Sequence, residues 1–74
     1  MSGCAKVFLI TREQLARVMR GETRVRNLPA DAEIVALHAE GEDLGLRVLS
    51  AQFPAVPKGA RLPVVVAVTD RGSA

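Results

Sequence analysis

The run Leu62-Pro63-Val64-Val65-Val66-Ala67-Val68-Thr69 leaves this chain few architectures to choose from. With the period of two of a β-strand, it sets Val64, Val66 and Val68 on one face and Val65, Ala67 and Thr69 on the other. Both faces are mainly apolar, so both need cover. A chain of 74 residues can lay one thin layer on one side of a sheet, which leaves the other side for a partner. The pattern therefore predicts a homo-oligomer with Val64, Val65, Val66 and Val68 at the subunit contact.

The scarcity of aromatic residues points the same way. Phe8 and Phe53 are the only rings of the Phe, Tyr and Trp type, so the core must be built from Val, Leu, Ile and Ala, which bury less area per residue. One small domain over residues 1–74 is expected, with 70–74 as a frayed tail. The single Cys4 excludes an internal disulfide and a Cys-based zinc cluster, and suits a reducing compartment. No apolar run approaches the ~18 residues needed to span a bilayer. The start Met1-Ser2-Gly3-Cys4 shows neither a myristoylation nor a signal-peptide pattern. A cytoplasmic protein that does not engage membranes is expected.

Local signals give the order β-α-β-β-β, a small α+β domain in which one short helix packs on a mixed, mostly antiparallel sheet of about four strands. Ala5–Ile10 reads as the first strand, and Thr11-Arg12-Glu13-Gln14 as a capping box opening a helix. Leu15, Val18 and Met19 form its apolar stripe, and Gly21 closes it in the left-handed conformation. Ala32–Glu40 is the second strand, with Val35, Leu37 and Ala39 on one face and Ile34, Ala36 and His38 on the other. A tight turn at Gly41-Glu42-Asp43 returns the chain through Leu44–Ala51, where Leu44, Leu46 and Val48 share a face. Phe53 and Val56 are expected to form a satellite cluster below the sheet edge, and Leu62–Thr69 is the last strand. The length between the first two strands permits a parallel crossover pairing between them.

Chemistry is sparse. His38 is the only histidine; His38-Ala39-Glu40 matches a fragment of the zinc-deaminase motif, but the required P-C-x-x-C is absent. Ser2, Ser50 and Ser73 lack a nucleophile elbow, and His38 shows no orienting partner. Cys4 is placed in a mobile terminus, and no glycine-rich phosphate loop occurs. The chain is therefore read as non-enzymatic, without metal or cofactor. Charge is more informative, because residues 1–30 carry six basic and two acidic side chains while residues 31–74 carry four and six. Arg17, Arg20, Arg24 and Arg26 form a basic cluster able to grip an anion bidentately, with His38, Arg47 and Arg61 as further pocket contacts. The lack of aromatics weakens a nucleic-acid reading, since single-strand readers stack bases on rings.

The segments Leu28-Pro29-Ala30-Asp31-Ala32-Glu33-Ile34-Val35 and Phe53-Pro54-Ala55-Val56-Pro57-Lys58-Gly59-Ala60-Arg61-Leu62-Pro63 resemble a pattern in small accessory proteins of tailed bacteriophages. The likeness covers residues 7–63, and the Val-rich stretch after it is more apolar than that pattern. The resemblance implies a setting in the host cytoplasm, where such proteins act by stoichiometric binding, including counter-defence by sequestering a nucleotide immune signal. The leading expectation is a homo-oligomer that captures an anionic small molecule or nucleotide. The alternatives are an adaptor or inhibitor that adds its valine strand to a host protein's sheet, and a nucleic-acid binder.

Overall fold

The computed structural model describes residues 4–69, so the expected tail at 70–74 lies outside the described residues. Five elements follow in order: β1 (Ala5–Ile10), α1 (Arg12–Met19), β2 (Glu33–Glu40), β3 (Asp43–Leu49) and β4 (Val64–Val66). They form one helix and a four-stranded mixed sheet in the order β2-β3-β1-β4, a small α+β fold. β1 is antiparallel to β3 and parallel to β4, while β2 and β3 form an antiparallel hairpin. The parallel pairing expected between the first two strands is thus made by β1 with β4 instead. The two-residue turn Gly41-Glu42 folds β2 straight back onto β3, and β3 takes the place beside β1. Gly41 occupies the first turn position with φ +60°, where a side chain would be strained.

The capping box at Thr11 is formed: the Gln14 N–H donates to Thr11 Oγ1 at 3.0 Å, and the Thr11 N–H donates to Gln14 Oε1 at 3.0 Å. Gly21, at φ +77°, ends the helix as its position in the sequence suggests. Leu15 and Val18 pack against the core, but Met19 is 79% exposed. With only eight residues, α1 turns its last side chain past the sheet, so the apolar stripe is one residue shorter than its spacing suggests.

Register settles which residues face inward, because directly paired side chains share a side of the sheet. Phe8, Ile10, Leu46 and Val48 are buried on the side covered by α1 and by residues 25–32, and Leu44 lies with them. Phe53 belongs to this main core rather than to a satellite cluster. Its ring centroid lies 6.1 Å from that of Phe8, and Lys6 Nζ sits 4.8 Å above it. Cys4 is half-buried against the same cluster, and its carbonyl accepts from the Ser50 N–H at 3.0 Å, so it is held in place, contrary to the mobile terminus expected.

Two strands depart from simple alternation. The β2–β3 register skips Val35, with Ile34 opposite Val48 and Ala36 opposite Arg47. This bulge moves Ile34 to the core side with Leu37 and Ala39, whereas strict alternation groups it with Ala36 and His38. The last strand is shorter than expected: the ladder with β1 spans Val64–Val66, and the chain then runs between β1 and residues 25–27. Asn27 donates from Nδ2 to the Val66 carbonyl at 3.0 Å and accepts the Val68 N–H on Oδ1 at 3.0 Å. The Arg26 N–H donates to the Val68 carbonyl, and Val25 forms an antiparallel bridge with Thr69. An amide side chain thereby occupies the outer edge of this strand.

Asp31 ties the approach to β2 to the exit of β3. It accepts from Ser50 Oγ at 2.5 Å and from the Ala51 N–H at 2.9 Å. These hydrogen bonds, the hydroxyl first, hold its carboxyl below the usual range. A depressed folded-state pKa contributes stability that is present above the unfolded value, about 3.9, and is lost as pH falls through the folded one. Asp31→Asn is therefore expected to lower the urea midpoint at neutral pH and to flatten its decline between about pH 5 and 3. An unchanged acid limb in that variant would assign the decline to other carboxylates.

Candidate functional site

The side of the sheet opposite α1 carries no helix among the described residues. Pairing places four rows on it. Glu33, Leu49 and Ala5 form one row, and Ala36, Arg47, Val7 and Val64 the next. His38, Gly45, Leu9 and Val66 form the third, and Glu40 with Asp43 the last. Ala5 and Val7 are buried on this side, at 4% and 8% exposed. At the β4 end, Val64 and Val66 are 57% and 68% exposed, and Val68 beyond them is 53% exposed. Val65 pairs with Phe8 and packs against the core, so of the four expected contact valines it faces the wrong way.

The basic residues do not converge. Arg17 and Arg20 lie on α1 and at its C-cap, on the covered side of the sheet, and Glu22 engages both. Arg20 holds Glu22 with two bonds, Nε to Oε2 at 2.7 Å and a terminal nitrogen to Oε1 at 3.3 Å. The hydrogen bond from Arg20 lowers the Glu22 pKa, and the same bond raises that of Arg20. Half of the expected anion cluster is thus committed to an acidic partner that follows the helix. Arg24 and Arg26 are exposed beside the last strand, and Arg61 is exposed in the loop before β4. His38 and Arg47 are diagonal neighbours on the open face, a placement typical of side chains about 7–8 Å apart at Cβ. The structure brings these two together and separates them from the helix cluster by the thickness of the sheet.

His38 has the orienting partner that its surroundings in the sequence seemed to lack: Nε2 lies 2.8 Å from Glu40 Oε1. Residues two apart on a strand share a face, so His38-Ala39-Glu40 is a side-chain pair rather than a metal motif. The imidazole rests over Gly45, where an added Cβ would lie 2.6 Å from Nε2 and 2.7 Å from Cε1. An isolated glycine within a strand signals this kind of close approach, and Gly45 carried that signal unread. Ser50, the hydroxyl held by Asp31, has no bond to His38. No group of three or more His, Cys, Asp or Glu among the described residues could hold a metal ion. No described helix is long and apolar enough to cross a membrane.

The open face is therefore an apolar strip at β1 and β4 beside Arg47 and the carboxylate-held His38, with Glu33, Glu40 and Asp43 toward its ends. Gly45→Ala is expected to displace the His38 ring and break its contact with Glu40, at a cost of about 1 kcal/mol. Chemical denaturation and the ring signals of His38 in NMR would report both effects. The cost should vanish in a His38→Ala background; an equal cost there would mean that the ring does not require the glycine. No protein-family model, curated protein or solved structure matches the chain.

Proposed function

We propose that this chain is a non-catalytic binding protein that self-associates through its open sheet face and holds an anionic ligand at the assembly. The observation that carries this reading is the exposure of Val64 and Val66 on a sheet face that carries no helix among the described residues. Full burial of a valine is worth about 1.5–3 kcal/mol, so burying the exposed part of each gains roughly 1 kcal/mol. Association costs on the order of 4–15 kcal/mol. Two valines per subunit do not meet that cost, so the contact must extend across the half-buried Leu9 and Leu49 toward Arg47. A second copy over this face brings a second Arg47 with it, and the pair forms a local cationic centre next to the apolar strip, with Glu33, Glu40 and Asp43 toward the ends of the face. Arg24, Arg26 and Arg61 supply outlying charge.

The likeness to phage accessory proteins makes nucleotides the first ligands to try, in line with sequestration of a nucleotide immune signal in a host cytoplasm. Strand addition to a host protein is limited to the start of β4, because Asn27 and the Arg26 backbone occupy the outer edge at Val66 and Val68. Binding to nucleic acid lacks a stacking surface, since Phe8 and Phe53 are both in the core.

Native mass spectrometry of the purified protein should show a defined homo-oligomer, and Val64→Lys with Val66→Lys should shift it to smaller species without loss of fold. Calorimetry with a panel of nucleotides should show binding that Arg47→Ala weakens at least tenfold. If Arg24→Ala with Arg26→Ala abolishes binding and Arg47→Ala leaves it intact, the ligand sits on the basic loop and not at the open face. A protein that stays monomeric at millimolar concentration would overturn the assembly.

A further inference from the structure

We propose a second contact between copies of this chain, in which β2 of one subunit pairs antiparallel with β2 of another and joins two sheets edge to edge. It uses a different surface from the valine face and does not depend on it. β2 is the outermost strand of the sheet on the side away from β4, and no backbone bond to a described residue lies on its outer edge. The bulge gives this strand an unusual side-chain pattern. Ile34 and Leu37, three apart in sequence, share the core side next to Val48 and Leu46. Yet they are 53% and 54% exposed, because α1 does not reach over β2. They form a small apolar shelf at the sheet margin.

Charge and face together select the partner and the register. Paired residues must lie on the same side, and the bulge makes that rule selective. Full overlap of the two strands sets Glu33 opposite Glu40 of the other copy, like charges directly opposed, and sets Ala36 of the open side against Leu37 of the core side. One step shorter, Glu33 faces His38 of the other copy, Ile34 faces its Leu37, and the two bulges meet at the two-fold axis. The four shelf residues then form one apolar patch between the two α1 helices, and Glu40 falls beyond the paired stretch. The bulge and the terminal glutamates, devices that discourage pairing with foreign strands, leave a short window that suits the chain's own sequence. The pairing is isologous, with the same strand contributed by both copies, so by itself it closes at two subunits.

Site-directed cross-linking tests the register. In a protein carrying Ile34→Cys and Leu37→Cys, oxidation should produce a covalent dimer within minutes, while the protein with Cys4 alone should remain monomeric on a non-reducing gel. Two cysteines this far apart on one strand cannot bridge within a subunit. Leu37→Cys alone should cross-link at least tenfold less, and comparable cross-linking there would place Leu37 opposite itself and overturn the register. Both sites are exposed, and circular dichroism would establish that the variants fold. The dimer should persist when Val64→Lys and Val66→Lys are added, so a failure of the valine face and a failure of this edge are separable. Absence of a covalent dimer, or a foreign polypeptide lying along β2 in its place, would refute the pairing.

Discussion

β1 is bonded along both of its edges, to β3 on one side and to β4 on the other, and the remaining elements take their places from it. Its core side supplies Phe8 and Ile10, two of the most deeply buried side chains. Its other side supplies Ala5, Val7 and Leu9, which are apolar as well. A central strand that is apolar on both sides demands two covering layers. One eight-residue helix lies over one side, and the other carries no helix among the described residues. The open face follows from this shortage, and so does the exposure of β2, which the helix is too short to shelter.

The arginines show how far electrostatic inference can travel without coordinates. Counting charge along the chain finds an excess of cations near the helix, but Glu22 lies close enough to engage both Arg17 and Arg20. Net charge over a segment carries no information about such pairing. By contrast, Arg47 looked like an isolated charge in a strand, and the sheet places it diagonally beside His38 on an uncovered surface. The cation at the centre of the proposed ligand site is one that linear clustering ranks low.

Much of the local structure could be read directly. Thr11 and Gln14 form the capping box their spacing implies, Gly21 and Gly41 take positive φ, and Ala5–Ile10 is a strand to the residue. The opposing faces of Val64, Val66 and Val68 against Val65 and Ala67 also follow from simple alternation. The bulge at Val35 was not legible, because it reflects how β2 fits against Arg47 and Val48 rather than any preference of β2 itself. The role of Asn27 was equally hidden: nothing local distinguishes an asparagine that caps a distant strand from one in a turn.

By itself the amino-acid order determined the helix, its caps, the hairpin and the sides of the final valines, since each depends on interactions within a few residues. Only the tertiary structure decided that β4 lies beside β1, that Asn27 caps the chain at Val66 and Val68, that His38 and Arg47 lie across the sheet from the helix arginines, and that Ile34 and Leu37 stand together on an open edge. These outcomes depend on which distant segments compete for the edges of one short central strand, and that competition is settled by packing in three dimensions.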